Sequence, residues 1–254
     1  MTNERLWRRS RDRAWAEIGA SDTEPVPGAE GEAFAGADPP EEERTHRPDP
    51  AREALFGRAR QMERDGDPMG ALDLYQRLLM EEPDNIRVRN SLGCLYEQRG
   101  HHTLALDQFE SAHALAPENV DVLLNLGDSL VSLSRFDTAE REYRRAQRLD
   151  PARADVYVHL GVLYFKRGLY EQAEVELKKA IDLDPDSGDA YFYRGESLNQ
   201  LTRVEEALEM LTRAAQLQPD NARAFYLMGI LYDKKRLPER AMVMYRMARE
   251  IASR

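Results

Sequence analysis

A set of residues returns every 34 positions through most of this chain, and that recurrence restricts the fold more than any other feature. Glycine stands at Gly93, Gly127, Gly161, Gly195 and Gly229. Alanine stands at Ala71, Ala105, Ala139, Ala173, Ala207 and Ala241, and proline at Pro83, Pro117, Pro151, Pro185 and Pro219. A second small or apolar position gives Leu78, Ala112, Ala146, Ala180, Ala214 and Ala248. No insertion or deletion disturbs the phase. The chain therefore divides into six units, 52–85, 86–119, 120–153, 154–187, 188–221 and 222–254.

The fourth unit shows what each one encodes. Val156, Tyr157, Leu160, Leu163 and Tyr164 recur at three- and four-residue spacing, the apolar stripe of a helix. Gly168 breaks the pattern. A second stripe comes next in Ala173, Leu177, Ala180, Ile181 and Leu183, and Pro185 stops it, because proline has no N–H to give a helix interior. Two short helices joined by a tight turn form an αα-hairpin, which cannot bury its apolar face without neighbours. The recurring glycine and alanine are small where the two helices of a hairpin cross, so the axes can approach. The aromatics Tyr75, Phe109, Tyr143 and Tyr245 are expected to fill the space toward the following hairpin.

These marks resemble the tetratricopeptide repeat family, with its W-x2-L-G-x2-Y…A-x3-F…P pattern. The fourth unit reads Tyr157-x2-Leu160-Gly161-x2-Tyr164…Ala173-x3-Leu177…Pro185. The first unit departs with Ala59 for glycine, and the fifth with Arg194 for leucine. The resemblance implies an all-α, right-handed α-solenoid of six hairpins. It also implies a concave side lined by the first helix of each hairpin, which would hold a peptide or helix of another protein. The chaperone-binding members grip a carboxylate with Lys and Asn at inner positions. Here those positions hold Asn90, Cys94, Asn125, Asp155 and His159. The lysines are missing and Asp155 has the wrong sign, so that subtype is not expected.

Outside the repeats the composition changes. Residues 1–19 crowd Arg5, Arg8, Arg9, Arg11 and Arg13 around Trp7, Ala14, Trp15 and Ile18. Two readings stand: a solvated tail, or a docking helix in which Trp7, Arg8, Arg11 and Trp15 meet a partner, a membrane surface or the chain's own groove. Residues 20–51 are rich in Pro, Gly and acid and poor in large apolar side chains, a composition that does not fold. The expected whole is a mostly disordered N-terminal arm followed by the array.

The formal charge of −10 argues against a nucleic-acid partner. The single cysteine, Cys94, excludes an internal disulfide and argues for a reducing compartment. With no apolar run long enough to span a bilayer and no apolar core in the first twenty residues, the chain reads as cytoplasmic, touching a membrane only peripherally if at all. No catalytic constellation, metal-ligand cluster or phosphate loop is recognisable, so no enzyme activity, cofactor or metal is expected. Cys94 has no histidine at helical spacing, and His101 and His102 lack further ligands nearby.

What is left is a surface. Its expected partner-binding residues are Asn125, Asp128, Asp155, His159, Phe165, Asp189, Phe192, Tyr193, Glu196 and Tyr226. Acids over an aromatic floor suit a segment with Arg or Lys around apolar anchors. The last helix carries Met242, Met244 and Met247, with Arg246, Arg249 and Arg254 nearby. Those methionines either mediate a homo-oligomer or partner contact, or are shielded by the arginines. The expected function is a non-catalytic interaction adaptor. The alternative is a structural subunit of a larger assembly, anchored by its N-terminal segment.

Overall fold

The computed structural model describes residues 49–253, and these form twelve helices in six hairpins. The pairs are α1 (Pro50–Arg64) with α2 (Pro68–Glu81), α3 (Ile86–Gln98) with α4 (His102–Leu115), and α5 (Val120–Ser132) with α6 (Phe136–Leu149). They continue as α7 (Ala154–Lys166) with α8 (Tyr170–Leu183), α9 (Gly188–Gln200) with α10 (Val204–Leu217), and α11 (Ala222–Lys234) with α12 (Pro238–Ala252). The architecture is an all-α solenoid, and no strand occurs among the described residues.

The helix ends are written locally. Asp49, Asn85, Asn119, Ser187 and Asn221 each precede the first helix of a hairpin, and each side chain accepts a hydrogen bond from a first-turn backbone N–H. The recurring prolines lie just past the second helices, in the turns between hairpins. Within each hairpin, one turn residue takes a left-handed backbone, and these residues also recur at 34: Gly66, Gly100, Ser134, Gly168, Thr202 and Arg236. Three of the six are not glycine. A β-branched side chain is the least suited to that conformation. Thr202→Gly is therefore expected to stabilise the fold by about 1 kcal/mol, the relief of strain outweighing the added freedom of the unfolded chain. A urea midpoint at or below the wild-type value would refute this.

The small residues lie where the helices cross. A Cβ built on Gly93 would stand 2.6 Å from the Phe109 ring, and one on Gly127 2.2 Å from the Tyr143 ring. The same holds for Gly161 against Leu177, Gly195 against Leu211 and Gly229 against Tyr245. In all five, the residue sixteen positions on, in the partner helix of the same hairpin, fills the space the glycine leaves. These rings therefore serve the crossing within their own hairpin, and Tyr143 also meets the next hairpin as expected, its ring 5.5 Å from that of His159 in α7. Ala71, Ala105, Ala139, Ala173 and Ala207 are completely buried.

Each hairpin packs on the next, so the core runs along the array. The first helices of successive hairpins, α3 to α5, α5 to α7, α7 to α9 and α9 to α11, also touch one another directly. Their shared face is the inner, short side of the stack. No described helix is long and apolar enough to cross a membrane.

Candidate functional site

The inner face of α5, α7, α9 and α11 carries the residues expected to bind a partner. Most of its polar groups are already bonded, chiefly to the neighbouring hairpin. Asn125 donates to Asn90 Oδ1 at 2.8 Å. Asp128 accepts from the Tyr143 hydroxyl and pairs with His159 Nδ1 at 2.8 Å. Asp155 takes Arg153 Nε at 2.9 Å, and the same guanidinium bonds Asp121. Asp189 accepts from Gln218 Nε2 at 2.9 Å. Arg223 Nη2 bonds Glu196 Oε1 and its guanidinium lies over the Phe192 ring. Lys234 reaches Asn199 at 2.7 Å.

The face is therefore partly neutralised, which corrects the expectation of a plainly acidic groove. Arg153 lies in the loop before α7 and Gln218 just past α10, so a register count along first helices passes over both. Lys166, close enough to Asp128 and Glu97 to feel both charges, adds a further cation. Their signal was nonetheless present: Asp121 and Arg153 are 32 apart and Glu196 and Arg223 27 apart, close to one repeat.

Three of the four expected aromatics come together. Tyr193 meets Phe192 edge-on at 5.2 Å between centroids and Phe165 at 6.0 Å. Phe192 and Tyr193 are only 4% and 5% exposed, so they support the face from beneath, and Phe165 is the ring that reaches its surface. Tyr226 does not join them. It is exposed and lies 5.5 Å from the Tyr245 ring. Met244 packs against the core, whereas Met242 and Met247 face outward. Trp7, Arg8, Arg11 and Trp15 lie outside the described residues.

Burial and charge set the proton affinities. Burial pushes the Glu196 carboxyl up despite the pull of Arg223, and its Oε2 is buried with no hydrogen-bond partner. Burial opposes charge on His159, but Asp128 and, more weakly, Asp155 outweigh it and Arg153, so the imidazole titrates above its usual value. A raised folded pKa stabilises the fold fully below the unfolded value of about 6.5 and ceases to do so as pH rises through the folded value. The stability gap between wild type and His159→Gln is thus expected to be widest under mildly acid conditions and to narrow toward alkaline pH. Denaturant midpoints across that range test this; a gap that widens with pH would contradict the assignment.

Cys94 is buried in α3, and no group of three or more His, Cys, Asp or Glu among the described residues could hold a metal ion. What the inner face presents is a fixed row of carboxylates, amides and apolar side chains on successive helices.

The family model described as Tetratricopeptide repeat matches residues 56–120, 90–154, 124–187 and 160–222. The chain belongs to the tetratricopeptide repeat family. Among solved structures it is similar to TTC0263, a thermophilic repeat protein of Thermus thermophilus, at 21% identity and a TM-score of 0.63, over 71% of this chain and 98% of that one. It is also similar to YrrB, described as having an unusual peptide-binding site, at 22% identity and 0.51, over 70% and 91%. A third likeness is to the anaphase-promoting complex hetero-tetramer Cut9–Hcn1, at 15% identity and 0.72, over 80% of this chain and 40% of that one. At these identities the likeness is one of fold. A comparison with curated protein sequences returns no match.

Proposed function

We propose that this tetratricopeptide repeat protein is a non-catalytic adaptor that holds a segment of a partner protein along the inner face of α5, α7, α9 and α11. The observation that carries the reading is the bonding of Asn125, Asp128, Asp155 and Asp189 to neighbouring groups. Side chains held in place before a ligand arrives lose little entropy on binding. Between Asp121 and Asp189 this face sets Asp121, Asp128, Asp155 and Asp189 against Arg153 and Lys166, and it presents Phe165. A segment with Arg or Lys around an apolar anchor complements that pattern. An intracellular, soluble setting fits the single cysteine.

Fluorescence anisotropy with two labelled peptide pools tests this. One pool flanks Phe or Leu with arginines, and the other carries glutamates in their place. Tighter binding of the arginine pool is expected, with Phe165→Ala or Asp189→Asn each weakening it about tenfold, or about 1.4 kcal/mol. Equal binding of the two pools, or indifference to both substitutions, would remove the groove from consideration. The alternative, a structural subunit anchored by Trp7, Arg8, Arg11 and Trp15, would then gain ground.

A further inference from the structure

The last described hairpin leaves open a face that the others cover, and the first leaves its opposite face half-covered. Tyr226 is 53% exposed, yet its counterparts Phe56, Asn90, Leu124, Val158 and Phe192 are all between 1% and 8% exposed. Met242 is 62% exposed, whereas two of its five counterparts, Glu140 and Glu174, reach the next hairpin, Glu140 bonding Tyr164 and Arg167 and Glu174 bonding Arg194. The face of α11–α12 is thus the one that receives a following hairpin everywhere else. At the other end, Leu55 and Met62 are half-buried, although their counterparts Leu123 and Leu130 are buried against a preceding hairpin.

We propose that the α11–α12 face docks the first hairpin of a second copy of this chain, head to tail. Charge favours that occupant. Residues 49–82 hold eight carboxylates and five arginines, a net −3, and residues 222–253 hold seven cationic and three acidic side chains, a net +4. The register favours it residue by residue. Moving the Glu140–Tyr164 and Glu174–Arg194 contacts to the junction sets Met242 against Met62 and the stem of Arg58. Moving the Asn199–Lys234 and Glu97–Ser132 contacts sets Asp233 against Arg64. The Arg145–His113 and Lys235–Glu205 contacts transfer as the like-charged pairs Arg249–Arg77 and Glu239–Asp65. The junction is accordingly weaker than an interior one, and its association is micromolar and reversible. Such a contact is heterologous: it uses a different surface on each copy, so it propagates unless it closes into a ring.

Sedimentation velocity of the full chain over a dilution series tests the proposal. Wild type is expected to associate reversibly in the micromolar range, and less so in high salt. Met242→Glu blocks the tail and Met62→Glu the head, each weakening self-association about a hundredfold. Their equimolar mixture, with one good head and one good tail, is expected to form a heterodimer and nothing longer. Arg64→Asp is a surface substitution that blocks the head if Met62→Glu does not fold. A wild type that stays monomeric at hundreds of micromolar overturns the proposal. So does a head-blocked variant that still associates like wild type, which would indicate tail-to-tail pairing. So does a mixture that fails to recover. Peptide binding to the inner face is a separate readout, and neither end substitution is expected to change it.

Discussion

Replacing Tyr143 by alanine is expected to cost about 3–5 kcal/mol, the range for removing a large aromatic from a packed core. The ring is almost wholly buried, and it fills the space that Gly127 leaves between α5 and α6. Its hydroxyl donates to Asp128, the carboxylate that also holds His159 of the next hairpin. Alanine therefore opens a cavity and takes a donor from a part-buried acid in one step. Tyr143→Phe keeps the ring and should cost about 1 kcal/mol, since His159 still serves Asp128. The position in the array matters as well. Each hairpin contacts mainly its neighbours, so a weakened third hairpin divides the stack into two flanking blocks. Urea unfolding of Tyr143→Ala followed by circular dichroism is expected to show a lower midpoint and a broader transition. A change below about 1 kcal/mol for the alanine variant would mean the site collapses without leaving a cavity.

The 34-residue recurrence made the hairpins legible because it is a packing rule repeated six times. Glycine, alanine and proline each mark a place where only one kind of side chain or backbone fits. Direction was less legible. Gly127 and Tyr143 are sixteen residues apart on two helices, and their contact depends on the crossing of α5 over α6, which periodicity alone does not supply. The inner face was half legible. A register count placed Asn125, Asp128, Asp155 and Asp189 on it, because first helices share a phase. It took Phe192 and Tyr193 for open floor, because it could not show how far neighbouring hairpins cover them. It grouped Tyr226 with residues within the array, since exposure at the last hairpin depends on whether another hairpin covers it, whereas Met242 stood out by its place in the last helix. Charge balance was the weakest point. Arg153 and Lys234 stand at helix ends, and whether such cations serve solvent or a polar side chain about one repeat away is decided in three dimensions.

Arg153 carries the second large expected effect. Its guanidinium bonds both Asp121 of α5 and Asp155 of α7, and is itself mostly covered. Burial opposes its charge, but the two carboxylates outweigh that and raise its pKa. It stands at the position before α7 where Asn85, Asn119, Ser187 and Asn221 cap their helices, yet it makes no side-chain cap. That position serves the link between hairpins instead. Arg153→Met keeps the stem's packing but leaves two half-buried carboxylates facing each other with no cation between them. Removing one partner of a fully buried pair costs about 3–5 kcal/mol. These acids are 22% and 29% exposed, so solvent reduces the expected loss to about 2–3 kcal/mol. Adding Asp121→Asn to Arg153→Met removes one of the two charges and is expected to restore about half the loss at neutral pH, a coupling that a double-mutant cycle measures directly. If Arg153→Met costs less than about 1 kcal/mol, the range of an exposed pair, or if Asp121→Asn restores nothing, the guanidinium is not what joins the third hairpin to the fourth.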